Sequence, residues 1–120
     1  MSIQRIQTIH LPSEKMYWNY YLKQMRALSS TFKTGVTISS RGSSGSNSGS
    51  MTSVSISADV IFDHSVRPAE IPEEAWNAAN KAVYTGMLLG CPMSLRFLYS
   101  GVRTDDGRGM INKLKHQIGP

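Results

Sequence analysis

Cysteine occurs once among the 120 residues, at Cys91. A single thiol excludes an internal disulfide and any cysteine-rich zinc site. It reads as a small apolar side chain following Gly90 and is compatible with a reducing compartment. Long apolar runs are also missing. The richest stretch, Val83 to Tyr99, is broken by Gly86, Gly90, Pro92 and Arg96, and it falls short of the ~18 consecutive apolar residues of a membrane span. The N-terminal MSIQRIQTIH has no apolar segment of the signal-peptide kind. Patterns that carry chemistry are absent as well: no HExxH, GxSxG, CxxC or Walker sequence occurs. The three histidines, His10, His64 and His116, lie far apart, each beside a turn or a terminus. No catalytic residue, cofactor or small-molecule substrate is expected, and the chain reads as a binding protein and not an enzyme.

What the chain does have is charge, unevenly placed. Formal net charge is +5. Residues 1–50 carry six bases (Arg5, Lys15, Lys23, Arg26, Lys33, Arg41) against Glu14. Residues 51–90 carry five acids (Asp59, Asp63, Glu70, Glu73, Glu74) against two bases, and residues 91–120 carry five bases (Arg96, Arg103, Arg108, Lys113, Lys115) against two acids. Two basic ends thus flank an acidic middle. Basic surfaces attract nucleic acid or anionic lipid, and opposite charges on one molecule permit head-to-tail self-association. Apolar residues, at 40%, are enough for one modest core, so residues 1–120 are expected to form a single domain.

Local pattern predicts an α+β fold, a small antiparallel sheet with two main helices, about 14–28 and 73–89, packed on it. Ser2–His10 reads as a short strand or an extended arm. Ser13 and Glu14 suit a helix start. From Glu14 to Leu28, Tyr17, Tyr20, Tyr21, Leu22, Met25 and Leu28 are assigned to one side, and Lys15, Asn19, Lys23 and Arg26 to another. Ser29-Ser30-Thr31 ends the helix. Thr34–Ser40 and Met51–Asp63 are expected to pair as a hairpin across a flexible Gly/Ser loop at 41–50. In the second strand Val54, Ile56, Ala58, Val60 and Phe62 share a face, and Ile61 breaks the alternation. Gly42, Gly45 and Gly49 invite a phosphate-loop reading, but no lysine follows in the required place. Pro72, Glu73 and Glu74 open the second helix, its inner stripe being Trp76, Ala79, Val83 and Met87, and Gly90 stops it. Ser94–Val102 reads as a strand and Asp106-Gly107 as a hairpin turn. Met110–Ile118 reads as a returning strand or, on its four-residue spacing, a terminal helix.

The constellation most suited to a function is basic and aromatic. Lys15, Trp18, Lys23, Arg26, Lys33 and Arg41 are the candidate residues for an anionic surface. Cations interleaved with Tyr17, Trp18, Tyr20 and Tyr21 suit phosphate backbones and stacked bases, or an anionic membrane with aromatic rings at headgroup level. The competing reading places the aromatics in the core. A metal site of Asp59, Asp63 and His64 is a minor alternative, although neighbours on a strand point to opposite faces.

Residues 53–101 carry a series of short motifs: VSISADVIFDH, Arg67-Pro68, a helix bearing Trp76, Tyr84-Thr85-Gly86-Met87, Gly90, Pro92 and Phe97-Leu98-Tyr99-Ser100. In order and approximate spacing this resembles the matrix proteins of rhabdoviruses, especially the vesiculovirus type. The likeness covers about 50 of the 120 residues, and the chain lacks the lysine-rich N-terminus and proline-rich budding motif of that family. The resemblance implies an α+β matrix fold that self-associates as a homo-oligomer beneath a viral envelope and bridges lipid to nucleocapsid. It implies a virion location peripheral to the inner membrane face, with synthesis in the host cytoplasm. Trp76, Tyr84, Gly86, Met87 and Pro92 match as structural positions. The alternative is a nucleic-acid-binding module using the N-terminal helix.

Overall fold

A computed structural model describes residues 9–40 and 50–118. The elements run in the order α1 (Trp18–Ser30), β1 (Lys33–Ser40), β2 (Ser50–Ser57), α2 (Val60–Asp63), α3 (Glu73–Leu89) and α4 (Gly107–Ile118). Short 3-10 segments, Lys15–Tyr17 and Met93–Tyr99, precede α1 and follow α3. The α+β architecture is therefore the expected one, with a two-stranded antiparallel sheet and α4 as a third substantial helix. The extended arm expected at Ser2–His10 lies outside the described residues except for Ile9 and His10, and the loop at 41–50 lies outside them except for Ser50.

In α1 the sequence rotates ~100° per residue. This collects Trp18, Tyr21, Leu22, Met25 and Ser29 in one buried arc and turns Tyr20, Lys23 and Ala27 outward. The expected apolar side is corrected in two places: Tyr17 and Tyr20 are exposed, and Trp18 is core. Ser13 caps nothing. The chain enters α1 through the 3-10 turn Lys15–Tyr17, and Tyr17, not Ser13, stands at the helix N-cap, without a side-chain cap bond. Ser29 is fully buried and satisfied, its hydroxyl donating to Met25 O at 2.7 Å.

The hairpin is in register from Lys33↔Ser57 to Ser40↔Ser50. Its second strand is shorter than the alternation suggests. Ala58 and Asp59 turn, and Val60–Asp63 is one helical turn. Ile61, the residue that breaks the alternation, is fully buried there. The segment Met93–Tyr99 is not a strand. It closes local bonds, Leu95 N–H to Pro92 O at 2.9 Å and Ser100 N–H to Phe97 O at 3.1 Å, and buries Leu98 and Tyr99 while Phe97 faces out. A strand needs a partner with free backbone groups; the described sheet is the β1–β2 pair alone, so this segment satisfies its groups locally.

Asp106-Gly107 is not a hairpin turn either. The turn is one step earlier, Asp106 N–H to Arg103 O at 3.2 Å, with Asp105 at φ 66°, a conformation that aspartate tolerates better than most side chains. Asp106 then caps α4: its Oδ1 accepts from Gly109 N–H at 3.0 Å and from Asn80 Nδ2 of α3 at 3.2 Å. Asn80 Oδ1 in turn accepts from Arg108 N–H at 2.7 Å. A Cβ on Gly107 would lie 2.6 Å from Asn80 O and 2.8 Å from Tyr84 N, so only glycine lets the two helices approach this closely. Met110, Ile111 and Leu114 of α4 are fully buried. With Val83 and Met87 of α3, Met25 of α1 and Ile61 of α2, they form the centre of one continuous core. Among the described residues no helix is long and apolar enough to cross a membrane.

Candidate anionic-surface site

The candidate basic residues take different positions. Lys15, Lys23 and Lys33 are exposed, on the 3-10 turn, α1 and the first position of β1 respectively. Arg41 lies outside the described residues. Trp18 is corrected: it is 5% exposed and its indole N–H donates to Pro12 O at 2.8 Å. That bond pins the incoming chain to α1 and leaves the ring unavailable to an outside surface.

Arg26 is exposed but engaged. Its Nε and Nη2 donate to the two carboxylate oxygens of Asp63 at 2.8 and 3.0 Å, the two-pronged geometry guanidinium groups favour. The hydrogen bond from Arg26 holds the Asp63 carboxyl below the usual carboxylate range. Arg108, one of the C-terminal bases, is likewise internal. It donates to Ile61 O at 2.9 Å and ties α4 to α2, and burial pushes its pKa down. Its Nε is buried without a partner among the described residues.

The sequence assigned Tyr17 and Tyr20 to the core side, yet these are the aromatics that face outward. Met16 joins them, so the start of α1 exposes Lys15, Met16, Tyr17, Tyr20 and Lys23 together. Tyr20 and Lys23, three apart, are neighbours on the helix surface. A second exposed apolar group follows α3: Leu89, Met93 and Phe97, beside Arg96. Sequence reasoning missed it because Phe97 was assigned to a strand face and Met93 to no element.

The chain that leads into α1 is tied to the end of α3. Leu11 N–H donates to Gly90 O at 2.9 Å. Burial holds both the Tyr21 and Tyr99 phenols well above the ordinary tyrosine range. Neither hydroxyl has a hydrogen-bond partner among the described residues. Cys91 is buried, as expected of a small apolar side chain, and burial raises its pKa too.

The motif residues are placed within the packing. Gly86 and Met87 are buried in α3, Trp76 and Tyr84 are half-buried against the core, and Pro92 precedes the 3-10 segment at φ −61° and ψ 150°. Among the described residues no three His, Cys, Asp or Glu side chains gather in a metal-binding group. An open cleft of about 530 Å³ beside α4 is lined by Arg103, Asp106, Lys113 and His116 together with Gly101 and Asn112. Compared with protein-family models, with curated proteins and with solved structures, the chain finds no significant match.

Proposed function

We propose that this chain is a matrix-type structural protein that self-associates and bridges an anionic membrane and a nucleocapsid. The observation that carries the reading is the exposed start of α1, where Lys15 and Lys23 stand with Met16, Tyr17 and Tyr20. Cations beside exposed aromatic and apolar side chains are the composition of a surface that rests on anionic headgroups. The order of motifs in residues 53–101, similar to that of rhabdovirus matrix proteins, supplies the matrix part of the proposal and its location beneath a viral envelope. Charge supports the assembly part: Glu70, Glu73 and Glu74 are exposed, and their charge is complementary to that of the exposed lysines a second copy would bring.

Light scattering with vesicle co-sedimentation tests this. The protein should grow in size with concentration and sediment with vesicles containing phosphatidylserine. A chain that stays monomeric and ignores those vesicles overturns the proposal.

The second reading, a nucleic-acid-binding module, draws on Tyr17 and Tyr20, whose exposed rings beside Lys23 suit base stacking. It predicts affinity for single-stranded RNA that falls with salt at a slope of about 0.7 per phosphate contacted. No RNA binding at low salt removes it.

A further inference from the structure

We infer that the cleft between α4 and the link that leads into it binds a small soluble phosphomonoester with a hydroxylated body, a sugar phosphate being the simplest case. The site shares no residue with the start of α1 and does not rest on the matrix reading.

The cleft is built on glycine. Gly109, Asn112, Lys113 and His116 fall at i, i+3, i+4 and i+7, and so form one stripe of α4. Met110, Ile111 and Leu114 fill the core from the same helix. The rest of the lining comes from Gly101, Val102 and Arg103 of the link and from Asp106. Gly101 has φ 86°, in the left-handed region that glycine adopts freely, and a Cβ placed on it would lie 3.9 Å from Lys113 Nζ. A Cβ on Gly109 would lie 2.5 Å from Asp106 Oδ2 and 3.3 Å from Val102 Cγ1. Glycine at both positions keeps the space clear, and about 530 Å³ remains open, within the range of small-molecule sites. The surrounding backbone is fixed before any ligand arrives. Val102 N–H donates to Tyr99 O at 3.1 Å, Asp106 N–H to Arg103 O at 3.2 Å and Met110 N–H to Asp106 O at 3.2 Å.

The side chains supply donors and one acceptor. Arg103, Lys113 and His116 bring nitrogen donors to the same cleft, and Asn112 an amide. Among the described residues the one side-chain ion pair is Arg26–Asp63, so neither Arg103 nor Lys113 is committed to a carboxylate there. A guanidinium beside an ammonium suits a phosphate group. Asp106 is the carboxylate of the lining. Its bonds from Gly109 N–H and Asn80 Nδ2 both end on Oδ1. A carboxylate accepts on both oxygens, which leaves Oδ2 to accept from a ligand hydroxyl.

Length and lining select the occupant. From Gly109 to His116 the stripe runs about 10 Å along the helix axis. One sugar phosphate fits that reach, whereas a single-stranded nucleic acid occupies roughly four nucleotides or more per site. None of the lining side chains is aromatic, and Val102 is the one large apolar group among them. Nothing there stacks a base, and nothing inserts among acyl chains. Inorganic phosphate would leave Asp106 and Asn112 unused; a hydroxylated body engages both.

Isothermal titration of the full chain with ribose 5-phosphate, ribose, inorganic phosphate and AMP tests this. Ribose 5-phosphate should bind once per chain, about tenfold or more tighter than ribose or inorganic phosphate, and AMP should bind no more tightly than ribose 5-phosphate. Arg103→Gln/Lys113→Gln should weaken ribose 5-phosphate binding about tenfold or more with unchanged helical circular dichroism. Both side chains are exposed, so folding should not depend on them. Lys15→Gln/Lys23→Gln, with the same loss of charge on α1 and the turn before it, should bind as wild type does. The inference is overturned if ribose 5-phosphate shows no saturable binding, if the Arg103→Gln/Lys113→Gln variant keeps it, or if both variants lose it equally. It is also overturned if AMP or single-stranded RNA binds more tightly than ribose 5-phosphate and is lost in the same variant, since a base would then be part of the ligand.

Discussion

At the scale of single residues, the core contains polar atoms that its packing does not use. The hydroxyls of Tyr21 and Tyr99 are buried and unpartnered among the described residues, while both rings belong to the core. An unpaired buried hydroxyl forfeits its bonds to water without replacement. Tyr21→Phe is therefore expected to leave stability unchanged or raise it by about 1 kcal/mol, and Tyr21→Ala to cost about 3–5 kcal/mol; urea unfolding followed by circular dichroism checks both. Trp18 shows what periodicity held and what was misread. At ~100° per residue it lies on the arc of Leu22, Met25 and Ser29, and Tyr20 lies about 160° away from it. Its burial was thus legible in the spacing, although its proximity to lysines suggested a surface role.

At the scale of elements, the contact between α3 and α4 turns on small groups. Gly107→Ala would drive a methyl group into the backbone of α3 at Asn80 and Tyr84. The expected loss is about 1–3 kcal/mol, the usual cost of overpacking, read as a lowered midpoint in thermal unfolding. Asp106→Ala removes the α4 cap and a partner of Asn80, with an expected loss of about 1 kcal/mol by the same measurement, and Asp106→Asn should recover much of it. The Asp-Gly pair was visible in the sequence, but its meaning was not. The same dipeptide serves a hairpin turn or a capped helix start, and Asn80, 26 residues away, helps to decide between them. The strand–helix change at Ala58 was partly legible. Alternation held to Ser57, and the misfit Ile61 marked the place where another geometry took over.

At the scale of the whole molecule, the surface charge is less than composition suggests, because Arg26 and Arg108 are occupied. Releasing Arg26 should strengthen binding to an anionic surface. Asp63→Asn is expected to raise affinity for phosphatidylserine vesicles roughly fivefold, the weight of one added basic residue at such a leaflet. Glu74→Gln, with the same charge change, should do less, and parallel vesicle titrations of the two variants check this. The pH sign follows from the depressed Asp63 pKa. The pair's contribution to stability is present above the ordinary carboxylate range and is lost as pH falls through the lower folded value. Arg26 is thus freed only in acid, and between pH 5 and 8 this pair should leave vesicle binding flat.

The sequence by itself determined what depends on neighbours along the chain: the helices near 14–28 and 73–89, the hairpin, the burial of Cys91 and the division into basic ends and acidic middle. Short-range periodicity and charge suffice for these. Tertiary structure alone decided which cations remain free, which aromatics reach solvent, and that residues 93–99 coil as a 3-10 segment and do not extend. Each of those depends on a partner distant in sequence: Asp63 for Arg26, the carbonyl of Ile61 for Arg108, and the core into which Leu98 and Tyr99 pack for the 3-10 segment. Local pattern contains no information about which distant group will arrive to satisfy a charge or cover a ring.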